Sequence, residues 1–448
     1  MNDAISARRR QFLQYGMGGL AGVAVGTLGI RSLIGVSLAQ GIPASSSIAL
    51  SFEEAIVEMV DKEPVYHWLF KTQQSALPSF PGPVIFVTQG DQIDINLTNN
   101  LDEDHAFEVL RVPGSFSGPI APGASRTVSF VAPEAGTYLY LDSLNSPVNR
   151  VMGLHGALIV LPRGVRENSA INTPYSRPTP NVQRLFRDLG HAAHFPGDPW
   201  IPIRPDSVPA NAGLPADIER LLFRTRIWLF TQVDPRLNER VRALGAGALF
   251  DAVQFQRDFL PRYFLINGRS GAFSAHDQAT ALEGFIGEPH LVRQLNAGLA
   301  APSSHLHSNH FYVLAINNVV QENVVQPDTM TLAAVQPQSG NPFFSGGSTL
   351  DWLVPFIRPP DIAGNPNTPL RELIPEELSL VIGNVPQSPL RYPMHDHAEQ
   401  SQTAAGGNYP EGDVTDIVFL GDIDKVPFPS SNKPIGSVRR SGSGGHHH

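Results

Sequence analysis

Two His-x-His tripeptides, His305-Leu306-His307 and His395-Asp396-His397, occur in a chain of 448 residues that contains no cysteine. Successive side chains of a β-strand point to opposite faces, so each tripeptide presents two imidazoles on one face. Two such strands facing each other provide four nitrogen ligands, and imidazole suits divalent metals such as copper, zinc and nickel. The spacing therefore predicts a metal site built from His305, His307, His395 and His397.

The residues beside these histidines predict how such a site is supported. Asp396 alternates to the face opposite His395 and His397, where we expect it to make hydrogen bonds rather than to coordinate a metal. Glu399 shares the face of the two histidines if the strand continues, and its carboxylate then orients an imidazole. A solvated carboxylate at the end of the strand is the alternative for Glu399. The missing cysteine removes the thiolate that a blue-copper site requires.

The elements that position these residues are predicted to be strands. The chain has 40 glycines and 40 prolines with many short apolar runs, a pattern typical of an all-β protein rich in turns. Residues Gln92–Leu97 alternate apolar and polar side chains, as in a strand with one buried face. We predict one Greek-key β-sandwich at 50–163, a connector at 164–220 and a second sandwich at 221–428. The second domain carries insertions, including a helical one from about Arg236 to Phe250.

The two ends of the chain have a different character. Arg8-Arg9-Arg10-Gln11-Phe12-Leu13 and the apolar stretch after it predict a twin-arginine signal peptide at 1–39. This pattern predicts export of a folded protein to the periplasm; an N-terminal anchor that stays attached is the alternative. Residues 429–448 form a flexible tail that ends in three histidines like those of an affinity tag, and these are excluded from the site.

Composition also limits the partners. The formal net charge of −9 argues against nucleic-acid binding, which requires a basic surface. No segment after the signal peptide approaches the roughly 18 to 20 apolar residues that span a bilayer. We therefore expect no transmembrane segment in the mature chain. A small molecule or a metal ion is the expected class of substrate.

Short motifs follow one another in the order found in multicopper oxidases. In the first domain they are Pro81-Gly82-Pro83, Gly90-Asp91, Thr98-Asn99-Asn100-Leu101, Gly136-Thr137-Tyr138 and Gly153-Leu154-His155-Gly156-Ala157. In the second they are Phe264-Leu265-Ile266-Asn267-Gly268, His305-Leu306-His307-Ser308-Asn309-His310-Phe311 and Met394-His395-Asp396-His397. From about residue 55 to 425 the chain resembles this superfamily. The resemblance implies two cupredoxin-type domains, with the middle domain of the family absent or reduced to the connector.

The same resemblance assigns roles to the histidines. It implies that His305 is a ligand of type 2 copper and that His307, His395 and His397 are ligands of the type 3 pair. His105 stands where the family has its first His-x-His motif, and the resemblance makes it a fifth candidate ligand. The partner motif has become Tyr140-Leu141-Asp142, which contains no histidine. A complete three-copper cluster is therefore not expected.

Other departures concern the electron-entry site. Asp396 stands where the family places its type 1 copper cysteine, and Ser401 stands where a type 1 histidine is expected. The His-Pro that precedes the first tripeptide in the family is Ala301-Pro302 here. The chain is thus expected to lack type 1 copper and, with it, conventional laccase chemistry.

Three functions remain open from the sequence. The first is a periplasmic, copper-binding oxidoreductase with a reduced, non-blue site that holds one or more ions, zinc and nickel being the other metals considered. The second is a copper-free structural or interaction module on the same fold. The third is a metal-storage or resistance protein, which the small number of methionines (six) disfavours. The resemblance to two-domain members of the family makes a homotrimer the expected assembly.

Overall fold

The computed structural model describes residues 45–162, 173–190, 225–249, 252–277, 279–333, 349–357 and 390–421. The predicted signal peptide at 1–39, much of the predicted connector and the predicted tail at 429–448 lie outside these ranges. Within them, strands are the predominant secondary structure, and they form four sheets. The all-β fold with two sandwich domains that the sequence predicts is confirmed.

The first sandwich consists of two four-stranded sheets that share one core. Its strands are β1 Ser45–Glu58, β2 Pro64–Thr72, β3 Ile85–Thr88, β4 Gln92–Asn99, β5 Glu108–Val109, β6 Ser125–Val131, β7 Gly136–Leu141 and β8 His155–Leu161. The strand order is β2-β1-β4-β6 in one sheet and β3-β8-β7-β5 in the other. Along β4, fully buried residues alternate with more accessible ones, because one face of the strand packs on the core.

The second sandwich pairs a six-stranded sheet with a five-stranded sheet. Its strands are β9 Thr225–Val233, β10 Tyr263–Ile266, β11 Leu282–Phe285, β12 His290–Asn296, β13 Ser303–Leu306, β14 Tyr312–Ile316, β15 Val319–Val320, β16 Thr329–Thr331, β17 Thr349–Val354, β18 Leu390–Asp396 and β19 Val414–Gly421. The orders are β10-β9-β12-β17-β14-β15 and β11-β19-β18-β13-β16. The first two residues of each histidine tripeptide therefore lie on adjacent strands of the five-stranded sheet, β13 and β18, and the last residue of each lies just past the strand end.

Short helices connect the strands. The described α-helices are α1 Val148–Val151, α2 Pro180–Gly190, α3 Pro235–Leu244, α4 Ala252–Asp258 and α5 Ala272–Ala275, and 3-10 turns span Ala246–Leu249 and Glu399–Gln402. The start of α3 is fixed by Asp234, whose side chain accepts a hydrogen bond from the Arg236 amide, and by Pro235 at the first helical position. This helix and the turn after it occupy the predicted helical insertion, which is confirmed.

The two sandwiches are joined through a shared apolar layer. Strands β7 and β8 contribute residues such as Leu139 and Ile159, which pack with Leu229 and Leu295 of the second domain. All seven residues of β8 are buried, because one face lies in the first core and the other against the second domain. The buried Arg150 adds a polar tie by donating hydrogen bonds to the carbonyls of Ala297 and Gly298. None of the described helices is long and apolar enough to span a membrane.

Candidate metal centre

Antiparallel pairing of β13 with β18 brings the two tripeptides together. In this register His305 lies directly opposite His395. Backbone hydrogen bonds continue past the strand ends, from the His307 amide to the Pro393 carbonyl at 3.1 Å and from the His397 amide to the Ser303 carbonyl at 2.7 Å. The four histidines therefore occupy neighbouring positions on one sheet, as their spacing predicts.

The four imidazole rings form one cluster. One ligand nitrogen each of His305, His307 and His395 lies within 4.8 Å of the other two. The Nε2 atoms of His307 and His395 are 3.1 Å apart. The His397 ring centroid lies 5.2 Å from that of His305 and 6.0 Å from that of His395. Three imidazoles thus converge closely, and the fourth stands at their edge.

The spacing of the nitrogens fits a single metal ion. Two imidazole nitrogens that bind one metal at about 2.0–2.1 Å lie roughly 2.8–3.4 Å apart at bond angles between about 90° and 110°. The 3.1 Å between the Nε2 atoms of His307 and His395 falls inside this interval. An all-imidazole donor set also matches the preference of copper and zinc. The residues present therefore fit one copper ion.

The charge state of the rings favours metal binding. Burial lowers the pKa of His305, and the neighbouring His395 and His397 lower it further, whereas Asp328 opposes the shift. Burial and the nearby imidazoles also lower the pKa of His307. At neutral pH both rings are therefore neutral, which is the form of histidine that binds metals.

Hydrogen bonding orients His395. Its Nδ1 lies 3.0 Å from the backbone carbonyl of Asp396. A carbonyl only accepts hydrogen bonds, so Nδ1 carries the proton and Nε2 keeps its lone pair. In the metal-free chain this lone pair accepts the Nε2 proton of His307, 3.1 Å away. The His395 ring is thus held in the tautomer that coordinates a metal through Nε2.

Asp396 lies on the buried face of β18, opposite the imidazoles. Its Oδ1 atom accepts hydrogen bonds from the amides of Ser303 at 2.9 Å and Ala398 at 3.0 Å. The first bond ties β18 to β13, and the second fixes the turn that follows His397. Asp396 therefore supports the strand pairing on which the cluster depends, and its influence on a bound metal stays a prediction.

The strand does not continue as far as Glu399. Strand β18 ends at Asp396, and the exposed Glu399 opens the 3-10 turn Glu399–Gln402. The prediction that Glu399 shares a face with His395 and His397 required the strand to continue. The alternation of side chains stops three residues before Glu399. A role for Glu399 in orienting an imidazole stays a prediction without support from strand geometry.

His105 lies in the first sandwich, inside the core. Its Nδ1 is 2.7 Å from Oδ2 of Asp142, both side chains are fully buried, and the ring packs edge-on against Trp68 and stacks on Phe52. Asn149 also donates to the same Asp142 oxygen at 2.8 Å. Asp142 belongs to the segment Tyr140-Leu141-Asp142, which the resemblance places at the second histidine motif, and it bonds His105 directly. His105 is not in the group of converging ligand atoms found among the described residues, and its role as a ligand stays a prediction.

Replacing His105 with leucine distinguishes a role in the core of the first domain from a role as a metal ligand. We expect the His105→Leu variant to lose about 1–3 kcal/mol of unfolding free energy, because a buried hydrogen bond to a charged group is lost. We expect the copper content of the folded fraction to equal that of the wild type, since the ring lies inside the first core. Urea unfolding and elemental analysis measure the two quantities. A fall in copper content without a change in stability would identify His105 as a ligand.

Two residues of the site were not predicted from sequence. Thr329, on β16, lies opposite His305, and its hydroxyl oxygen is 2.7 Å from Nδ1 of His305. Asp328 accepts a hydrogen bond from that hydroxyl at 3.1 Å. Nothing in the segment before Thr329 marks it as a neighbour of a histidine 24 residues earlier. Only the pairing of β16 with β13 reveals the contact.

Comparison with known proteins agrees with this fold. A model of the multicopper oxidase family matches residues 78–164. The copper-containing nitrite reductase of Alcaligenes xylosoxydans xylosoxydans is 32% identical over 108 residues, which are 22% of this chain and 33% of the reductase. Laccase-1 of Cryptococcus neoformans var. neoformans serotype D (strain B-3501A) is 37% identical over 93 residues, which are 18% of this chain and 15% of the laccase. The matched stretch spans a third or less of the length of these two relatives.

The fold extends the similarity over most of the chain. The blue copper oxidase from Nitrosomonas europaea superposes with a TM-score of 0.51 at 16% identity, covering 83% of this chain and 85% of that one. Both sandwiches are accordingly cupredoxin-type domains. Residues 78–164 thus match the multicopper oxidase family, and the chain as a whole shares the fold of a blue copper oxidase. The chain differs from such proteins in having no cysteine for type 1 copper.

Proposed function

We propose that the second domain binds one copper ion through His305, His307 and His395, with His397 as a fourth imidazole, and that the protein is a periplasmic oxidoreductase with a non-blue copper site. The observation that carries this proposal is the convergence of three imidazoles whose ligand nitrogens lie within 4.8 Å of one another. The similarity of the first domain to multicopper oxidases and to a copper-containing nitrite reductase favours copper over zinc or nickel. In this arrangement the second domain supplies all the ligands.

A bound copper would supply one-electron redox chemistry or Lewis-acid polarisation of a substrate. The protein's own part is to hold the imidazoles side by side, with His395 in the tautomer that leaves its Nε2 lone pair free, and to leave one side of the cluster open. His307 and His397 are exposed, so a small molecule or a metal ion approaches the site from solvent. Since the chain has no cysteine for an electron-entry copper, a copper ion held here would exchange electrons directly with the molecule bound at this open side. Periplasmic export and assembly as a homotrimer are parts of the same proposal, supported by the N-terminal pattern and the resemblance.

Copper content of the exported protein tests the proposal. We expect the wild type, isolated from the periplasm of copper-supplied cells, to carry about one copper ion more per chain than a His305→Asn/His395→Asn double variant, which removes two of the converging imidazoles. Both proteins keep the three C-terminal histidines, so any metal on the tail cancels. Elemental analysis gives the stoichiometry, and EPR of the oxidised protein reports nitrogen ligation.

A single-histidine variant serves as the control. His276 is an exposed imidazole paired with Asp416 at 3.2 Å, and His276→Asn is expected to keep the full copper content. Equal copper in the wild type and the double variant would reject the metal site and leave the copper-free interaction module. Copper that binds but is neither reduced by a small reductant nor reoxidised by dioxygen would reject the oxidoreductase and favour storage.

A further inference from the structure

We propose that Thr329 and Asp328 are positioning residues for His305, holding its ring so that Nε2 faces the metal. This inference rests on the proposed function, because it assigns the two residues a role relative to the copper site. Thr329 is the first residue of a separate strand, β16, and Asp328 immediately precedes it. Neither residue belongs to the group of converging imidazoles.

Strand pairing sets the contact. Antiparallel pairing of β13 and β16 places Thr329 directly opposite His305. The threonine hydroxyl oxygen is 2.7 Å from Nδ1 of His305, and the same hydroxyl donates to Oδ1 of Asp328 at 3.1 Å. The other oxygen of Asp328 is 3.9 Å from Nδ1, which is too long for a direct hydrogen bond. Thr329 therefore bridges the carboxylate and the imidazole.

Counting protons fixes the direction of both hydrogen bonds. An ionised carboxylate only accepts, so the single proton of the Thr329 hydroxyl belongs to the bond with Asp328. The hydroxyl must then accept from His305, and the proton on that ring lies on Nδ1. Nε2 of His305 therefore keeps its lone pair, which is required for coordination. The other tautomer is disfavoured, because Thr329 could donate to Nδ1 only by giving up its hydrogen bond to Asp328.

A negative charge behind the ring also changes its strength as a ligand. Carboxylates that hydrogen-bond a coordinating histidine raise its basicity and fix its orientation. The corresponding acceptor for His395 is the neutral carbonyl of Asp396. His305 differs from His395 because a charged carboxylate lies two hydrogen bonds away from its ring. We expect this charge to favour Cu(II) over Cu(I), since the more highly charged ion gains more from a strong donor. Asp328 is half exposed, with 51% of its side chain accessible, so solvent reduces the effect without removing it.

Three substitutions test the arrangement. Thr329→Val keeps the shape of the side chain and removes the hydroxyl, and Asp328→Asn removes the charge. We expect about 10- to 100-fold weaker binding of Cu(II) in Thr329→Val and a higher copper reduction potential in both variants. Thr329→Ser restores the hydroxyl and should return the affinity to that of the wild type. Competition with a chelator and a redox titration measure these changes.

A neighbouring threonine provides the matched control. Thr331 lies two residues further along β16, and its hydroxyl is bonded to that of Ser303 rather than to a histidine. Thr331→Val is expected to leave both the affinity and the potential unchanged. If Thr329→Val and Asp328→Asn bind Cu(II) as tightly as the wild type at an unchanged potential, the positioning role is rejected while the copper site stands.

The tautomer of His305 tests the inference without any metal. Nitrogen-15 NMR of the metal-free protein should show His305 protonated at Nδ1 in the wild type and in Thr329→Ser, and mixed tautomers in Thr329→Val. An Nε2-protonated His305 in the wild type would overturn the proposal. This measurement also separates the two proposals, because a protein that binds no copper but holds His305 as the Nδ1 tautomer refutes the copper site alone.

Discussion

Replacing Asp351 with alanine is expected to reduce the free energy of unfolding by about 3–5 kcal/mol, because it leaves the Arg293 guanidinium buried without its counter-ion. The two side chains are 0% and 2% exposed, and Nη1 of Arg293 lies 3.0 Å from Oδ2 of Asp351. Breaking a buried pair from one side costs much more than the pair contributes, since an isolated buried charge has no solvent to stabilise it.

The same carboxylate links three parts of the chain. It accepts hydrogen bonds from the hydroxyl of Thr137 at 2.6 Å, in β7 of the first domain, and from that of Tyr175 at 3.0 Å, in the predicted connector. Arg293, which also donates to Thr137 at 3.0 Å, lies on β12 of the second domain. Loss of Asp351 should therefore loosen the interface between the domains as well as lower stability. Urea unfolding gives the energy, and limited proteolysis reports the loosening.

An exposed ion pair provides the comparison. Arg177 and Glu134 approach to 3.2 Å, but their side chains are 82% and 59% exposed. Solvent screens such a pair, so Arg177→Ala should change stability by less than about 1 kcal/mol. If Asp351→Ala costs no more than this control, the buried network does not hold the domains together.

The strands were predictable where their pattern is local. Gln92–Leu97 alternates because β4 faces the core on one side only, and the structure extends this strand from Gln92 to Asn99. The packing between the domains was not predictable in this way. Strand β8 is buried on both faces, so its apolar run gives no periodicity from which a partner could be identified. The parallel pairing of β1 with β4 likewise joins segments whose sequences carry no mark of each other.

The part of the site that depends on a local pattern was predictable, and the part that depends on pairing between distant segments was not. Residues i and i+2 of a strand share a face whatever the rest of the fold does, so each His-x-His pair could be recognised from sequence. Thr329 could not, because its contact with His305 depends on the register between β13 and β16. His105 was proposed from a motif position, whereas the structure shows that Asp142 at the partner position bonds it inside the core. The motif position of His105 does not reveal that its neighbour in the fold is a carboxylate rather than a second histidine.

Acid is expected to destabilise the first domain through His67 and His155. Both side chains are fully buried, and burial lowers the pKa of each from 6.5 to about 4. Each ring uses Nδ1 for a hydrogen bond to a backbone carbonyl, of Val65 at 3.0 Å and of Arg150 at 2.8 Å. Among the described residues the two Nε2 atoms have no hydrogen-bond partner, so no acceptor there compensates an added proton.

The sign and the pH window follow from these pKa values. Well above pH 6.5 both rings are neutral in the folded and the unfolded chain, so these two histidines contribute no pH dependence to the free energy of unfolding. Between pH 6.5 and about 4 the unfolded chain binds protons that the folded chain does not, so stability falls as the pH falls. Below about pH 4 the folded chain is protonated too, and this loss reaches its limit. Each histidine accounts for about 3 kcal/mol across the window.

Asparagine variants isolate this contribution from that of the carboxyl groups. The side-chain amide of asparagine takes the place of Nδ1–H and does not titrate, so His67→Asn and His155→Asn each remove one protonation site while keeping a donor for the carbonyl. We expect urea unfolding between pH 7 and pH 4 to show a shallower loss of stability in each variant, and the shallowest in the double variant. A double variant that loses stability as steeply as the wild type would show that the two histidines are already protonated, or already accessible, in the folded chain. The acid sensitivity of the first domain would then have to come from groups other than His67 and His155.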